Sequence, residues 1–207
     1  MGTEVASVAA VGKVVLDVKT REAIDEALAR CADEARSEVL QRHEKDFGKV
    51  IPSAEDCNRW VPVRKDVTWA MLLGLEMHEE ARKCAQAALS LLIPDRFGLE
   101  QRYLYDRRTG HKRPISAEEE RLLEETGNLG ELRGSLKPDV VIHSGEPRVV
   151  LDIYDFKFRC INTDEPPRWR KYPDDHPYRR TTQGDMYREA FGVVAPALVA
   201  PRLGVIR

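Results

Sequence analysis

Long apolar runs are missing from this chain. No stretch of about 18 apolar residues occurs, so no segment reads as a membrane-spanning helix. A basic leader is missing too: "EVASVAAVGKVVLDV" is interrupted by Lys13 and Asp17 and makes a poor cleavable signal peptide. Cysteine is scarce. Cys31, Cys57, Cys84 and Cys160 are widely scattered and form no Cys-x-x-Cys pair. That spacing argues against zinc and against a disulfide framework, and it predicts a reducing compartment. Strong net charge is also absent. At a formal −2, a nucleic-acid partner gains nothing from the overall field and must meet a local basic patch. No internal repeat or low-complexity tract is visible.

What is present suits a soluble globular protein: 42% hydrophobic and 33% charged residues in 207 positions, enough for one sizeable domain with an appended element. Residues 20–46 carry Ile24, Leu28, Cys31, Ala35 and Val39 at helical spacing, with Thr20 as N-cap. A connector with a short helix opening at Ser53 follows. A stronger helix over 67–92 places Leu73, Met77, Cys84, Ala88 and Leu91 on one stripe, Cys84 as a small core residue, and Pro94 stops it. Residues 97–108 read as a strand and Thr109–His111 as a turn. Residues 116–126 read as an acidic helix with a Ser116/Glu119 capping box. Two strands joined by "HSGEP" come next, then a helix capped by Thr181 or Thr182 and ended by Pro196, and a last strand. The expectation is an α/β chain, with an N-terminal helical arm and connector over 1–65 and a core over 66–207.

The segment "LKPDVVIHSGEPRVVLDIYDFKF" (136–158) poses the chemical question, because buried charge in an apolar strand is expensive unless paired or bound to metal. Strand side chains alternate faces, so Asp155 and Lys157 share one side, and closing the hairpin brings both near Asp139. Two carboxylates and an amine at one end of a sheet suit a hard divalent cation, Mg²⁺ or Mn²⁺. The lysine would orient or deprotonate water, or stabilise charge on a phosphate. An ordinary ion pair at a strand end fits the same residues.

Pro138-Asp139 followed by Asp155-Phe156-Lys157 resembles the PD-(D/E)xK nuclease signature in its strand–turn–strand setting. Upstream, Gly74 to His78 is similar to the GxxxH motif on the first core helix of RecB-like nucleases. Downstream, Gln183 to Tyr187 is similar to their QxxxY motif. Both pairs are i, i+4, on one helix face each. The resemblance covers about residues 66–207. It implies a restriction-endonuclease-like core, a mixed sheet flanked by helices, hydrolysing DNA with Mg²⁺ or Mn²⁺. It further implies His78, Asp139 and Asp155 as metal ligands with the Phe156 carbonyl, and Glu79 or Glu80 as the alternative upstream ligand. Lys157 would be the catalytic lysine, steadied by Gln183 and Tyr187. The chain has no cysteine after Cys160, so the iron–sulfur cluster of some relatives is not expected.

Two basic patches remain. "RWRKYPDDHPYRR" supplies Arg168, Arg170, Lys171, Arg179 and Arg180 with aromatics interleaved, and a second patch runs from Arg102 to Arg113. The first would contact phosphates; a solvated loop is the plainer alternative, and Trp169 or Tyr172 either stacks on a splayed base or packs. The stretch from Arg168 to Gly192 resembles restriction-fold toxin domains of bacterial polymorphic toxins and secretion effectors. That implies a DNase delivered to rival cells by a type VI-like route, through a separate delivery domain, acting in the target cytoplasm and held in check by a cognate immunity protein. A cytoplasmic genome-maintenance or phage exonuclease, or a nucleic-acid-binding module without chemistry, uses the same residues.

Overall fold

The computed structural model describes residues 15–62 and 64–207; of the stretch read for a leader, residues 4–18, all but the last four lie outside them. Helix α1 (Val18–Arg42) buries the predicted stripe of Ile24, Leu28, Cys31, Ala35 and Val39. Its cap is Asp17, not Thr20: the Asp17 carboxylate accepts from the Thr20 amide at 3.0 Å and from its hydroxyl at 2.6 Å. Short helices α2 (Glu44–Phe47) and α3 (Ala54–Asn58) follow, the latter opened by a capping box between Ser53 and Asp56. Helix α4 (Trp69–Leu92) starts at the Thr68 cap. It buries Leu72, Leu73, Met77, Ala81, Ala85 and Leu89, and leaves the expected Leu91 86% exposed. The buried stripe turns one position away from the predicted one over the last two turns, because small Ala81 and Ala85 face α1.

The strand expected over 97–108 is two. Glu100, at φ 49°, bends the chain between β1 (Phe97–Leu99) and β2 (Tyr103–Asp106). The turn expected at Thr109–His111 opens a further strand, β3 (His111–Pro114), which pairs antiparallel with β2. Helix α5 (Ala117–Glu125) has the Ser116 cap, but the Glu119 carboxylate ion-pairs with Arg113 at 2.7 Å. After a 3-10 turn at Leu129–Leu132 come β4 (Ser135–Leu136), β5 (Val140–His143) and β6 (Val150–Phe156). Helix α6 (Gln183–Phe191) is capped by Thr182 and ends at Gly192 in the left-handed region, φ 68°, ahead of Pro196. The last strand is also two, β7 (Ala197–Ala200) and β8 (Gly204–Ile206), separated at Arg202, φ 67°.

The main sheet runs β1-β5-β6-β7-β8, antiparallel except for the β6–β7 pair, whose strands are joined through α6. A side sheet runs β3-β2-β4. Strand alternation decides what each face meets. Val140, Ile142, Tyr154 and Phe156 pack with α1 and α4, while Val141 and Ile153 pack with α6, Tyr103 and Leu136. This is a mixed sheet flanked by helices on both faces. The N-terminal helix α1 lies within the main core, running along α4 and over β7 and β8.

The disulfide-free reading is corrected. Cys31–Cys84 ties α1 to α4, with Cα atoms 5.4 Å apart, and Cys57–Cys160 ties α3 to the segment after β6, at 6.1 Å. Cys84 is therefore a cross-link at the helix–helix contact, not a free core thiol. Partners 53 and 103 residues apart carry no local spacing signal; helix packing alone brings them together. Among the described residues no helix is long and apolar enough to cross a membrane.

Candidate active site

The hairpin register sets the site. Val140 pairs with Tyr154, so one step further the ladder brings Asp139 beside β6 at the sheet's end. There the Phe156 amide donates to Asp139 Oδ2 at 2.6 Å. Asp155 faces α6, because Tyr154 and Phe156 on either side face α1 and α4. Its side chain is only 5% exposed.

Buried charge at this level needs partners, and Asp155 has three. Tyr187 donates its hydroxyl to Oδ2 at 2.9 Å, and Gln183 Nε2 donates to the same oxygen at 3.0 Å. Lys157 ion-pairs with Oδ1. Its Nζ also lies 3.4 Å from Gln183 Oε1, while its backbone amide is held by Val199 of β7 at 2.8 Å. Gln183 and Tyr187 reach the cluster together because they are one helical turn apart, and Gln183 Nε2 also donates to the Tyr187 hydroxyl at 2.8 Å.

Helix α4 supplies His78, whose Nδ1 is 3.5 Å from Asp139 Oδ2 and whose ring meets Phe158 edge-on at 5.1 Å. Glu79, one residue on, turns to the surface and pairs with Arg82 at 2.7 Å; Glu80 pairs with Arg42 at 2.9 Å. Neither joins the cluster. One acid near it carried no sequence signal: Glu100, whose amide donates to the Asp139 carbonyl at 2.9 Å and whose charge reaches both His78 and Asp139. Finding it requires knowing that β1 pairs with β5.

The charge state follows from this crowding. Burial, then the neighbouring Asp155 charge, raises the Asp139 carboxyl well above the usual carboxylate range. Burial and then the Lys157 ammonium lower His78, leaving a neutral imidazole near neutral pH. Burial and the two carboxylates raise Tyr187 strongly, so it stays a phenol and a donor. Among the described residues no group of three or more His, Cys, Asp or Glu side chains is placed to hold a metal ion.

Trp169 packs. Its ring lies edge-on to Tyr187 at 5.7 Å and 5.8 Å from Lys157 Nζ. A Cβ on Gly184 would come within 2.7 Å of its ring atoms, so only glycine lets the helix sit this close. Tyr172 stacks on His176 at 4.4 Å. The loop's cations behave differently. Arg168, Arg170, Lys171, Arg179 and Arg180 are exposed, and none has a carboxylate partner among the described residues. The loop is pinned to α6 by the Gln183 amide on the Arg170 carbonyl, 2.8 Å, and by a Lys171–Thr182 bridge. No family model, curated protein or solved structure matches the chain.

Proposed function

We propose that this chain is a metal-dependent DNA endonuclease of the PD-(D/E)xK type, built on a restriction-endonuclease-like core and acting as an antibacterial effector. One observation carries the reading: Asp139, Asp155 and Lys157 gather at one end of a mixed sheet, with Gln183 and Tyr187 bonded to Asp155. An isolated strand-end ion pair would not need a buried tyrosine and a half-buried glutamine aimed at it, nor a second, half-buried carboxylate beside it.

The donor types suit a hard divalent cation, although the described side chains are not gathered round a single point. Two carboxylates and the Phe156 carbonyl supply oxygen donors, and the neutral His78 ring supplies nitrogen. Burial first, and the neighbouring Asp155 charge second, oppose ionisation of Asp139, and a cation held beside both carboxylates would relieve that. Asp139, Asp155, Phe156 and His78 would hold Mg²⁺ or Mn²⁺. Bound there, the ion supplies Lewis acidity toward a phosphoryl oxygen and a more acidic water. The protein's own part is positioning. Gln183 and Tyr187 fix Asp155, Gln183 Oε1 steers Lys157, and Lys157 places its charge where the phosphate becomes more negative and orients the attacking water. The unpaired cations of the 168–180 loop stand ready for backbone phosphates.

The two disulfides support a stage in an oxidising compartment, as an exported effector would pass through. An immunity protein partner follows from that role. A binding module without chemistry is the second reading, favoured by the Lys157–Asp155 pair, which already neutralises one carboxylate.

Closed-circular plasmid incubated with Mg²⁺ or Mn²⁺ decides between them. Cleavage should occur, stop with EDTA, and fall about 100-fold or more in Asp155→Ala and in Lys157→Ala. Full cleavage in both variants refutes the site. Binding without cleavage, indifferent to metal, selects the second reading. For the effector role, the chain should arrest growth of a bacterial host, and a small open reading frame beside its gene, if it encodes the immunity protein, should rescue growth on co-expression.

A further inference from the structure

Away from the carboxylates lies a groove of about 510 Å³, lined by Arg107, Arg108, His111, Arg113, Arg133 and Tyr178 among others. The fold assembles it from three separate pieces. The β2–β3 turn carries Arg107 and Arg108, β3 carries Arg113, and the 3-10 turn before β4 delivers Arg133. Gly134, at φ 81°, presses the chain against Pro177, while the Tyr178 hydroxyl holds the carbonyls of Tyr105, at 2.9 Å, and Gly134. One wall of the groove is thus the 168–180 loop itself.

We infer that this groove binds the phosphate backbone of nucleic acid, as a continuation of the candidate active site. The inference rests on the nuclease reading for the substrate class and adds a surface that the reading does not use. Four guanidinium groups converge on the groove. The acid in its lining, Asp106, is spent on the hairpin, accepting from the Arg108 amide and the Thr109 hydroxyl at 2.8 Å each. Arg108 has no carboxylate partner among the described residues.

Arg107, Arg113 and Arg133 face Glu189, Glu119 and Asp175, yet their side chains remain 47%, 44% and 57% exposed. Exposed pairs of this kind are worth about 0–1 kcal/mol, so a phosphate can displace the carboxylate. Planar guanidinium forks match phosphate oxygens.

Continuity sets the occupant. At one end the loop places Trp169 5.8 Å from Lys157 Nζ; at the other, Tyr178 lines the groove. Tyr172 bridges them, 5.4 Å from Tyr178 and close enough to Asp155 that burial and that charge push its phenol up to about 12. Arg170, Lys171, Arg179 and Arg180 are exposed along the way. A polyanion spans such a path; a small phosphate would leave most of its cations idle. The groove's tyrosines are committed to internal hydrogen bonds, so contacts should be to backbone and independent of sequence.

The test is binding of a labelled mixed-sequence DNA duplex by the full chain in EDTA, followed by fluorescence anisotropy across a salt series. In Arg108→Ala/Arg133→Ala, affinity should fall roughly tenfold and the slope of log K against log salt should drop by about 2, equally on unrelated sequences. Arg108→Lys/Arg133→Lys should keep the slope, and unchanged melting temperatures in both exclude unfolding. With metal, the alanine pair should raise KM and leave kcat at saturating DNA as it was. An unchanged slope in a protein that still binds and cuts DNA overturns the groove and leaves the nuclease reading standing. Wild-type protein that binds no DNA overturns both. Arginine-dependent binding of polyglutamate instead of DNA overturns the inference in favour of an acidic protein partner.

Discussion

Asp155 shows how one buried carboxylate organises its surroundings: Tyr187, Gln183 and Lys157 each exist where they are because the charge must be satisfied. Gly184 is the least replaceable neighbour. In Gly184→Ala the new methyl meets the Trp169 ring, and overpacking of this kind costs about 1–3 kcal/mol. The expected readout is a lowered melting temperature together with reduced cleavage, since Trp169 also flanks Lys157. Far from the site, His43 offers a pH-dependent test. Burial opposes its charged form, but hydrogen bonds to Asp46 at 2.8 Å and Glu76 at 2.9 Å prevail and raise it above the ordinary histidine value. A raised folded-state value means that the stabilisation is full below about pH 6.5 and is lost as pH climbs through the folded value. His43→Gln should therefore melt well below wild type at mildly acidic pH, and the gap should narrow in alkaline buffer. A gap independent of pH would assign His43 only its packing on Trp69.

Among the elements, α6 matters most for its size. Nine residues carry both Gln183 and Tyr187, and the parallel β6–β7 connection passes through them. Its first turn is held by the Thr182–Asp185 capping box, with the Asp185 amide donating to Thr182 Oγ1 at 3.2 Å. Thr182→Ala should cost about 1 kcal/mol of stability. Because Gln183 is the first helical residue, fraying there displaces the group proposed to steer Lys157. Cleavage should thus fall further than the shift in melting temperature would suggest, and equal proportional losses would argue against that steering. Helix α4 has a comparable double duty: its Ala81 and Ala85 face packs on α1 while His78 reaches Asp139.

Across the whole molecule, a net charge of −2 conceals a segregated surface. Among the described residues many acids and bases are engaged in ion pairs with one another, whereas the 168–180 loop and the groove beside it hold arginines that are unpaired or weakly paired. The cross-links act at this scale too. Cys31–Cys84 closes a segment of 53 residues and Cys57–Cys160 one of 103, so each restricts the unfolded chain substantially. Reduction should cost about 2–4 kcal/mol per bridge, seen as a drop in denaturation midpoint with dithiothreitol. Cys57→Ser/Cys160→Ser should reproduce part of that loss and show a smaller further response to reductant. A midpoint insensitive to reductant would mean that the bridges contribute nothing.

Sequence alone determined the local features whose causes are local. The apolar stripe of α1, the Ser53 and Thr182 caps, the turn at "HSGEP" and the shared face of Asp155 and Lys157 all follow from residues within a few positions of one another. Hairpin alternation alone puts Asp139, Asp155 and Lys157 near one another, whereas Gln183 and Tyr187 are singled out only by the family resemblance, their i, i+4 spacing placing them on one helix face. Tertiary structure decided everything that depends on distant segments meeting. It split two predicted strands where Glu100 and Arg202 take left-handed backbone, brought Glu100 beside Asp139, joined the cysteines, and turned Trp169 into packing for α6. It also built the arginine groove from a hairpin, a 3-10 turn and a loop. The physical reason is that periodicity constrains a side chain's direction within its own element, whereas its neighbours across the core are chosen by which surfaces bury the most apolar area together.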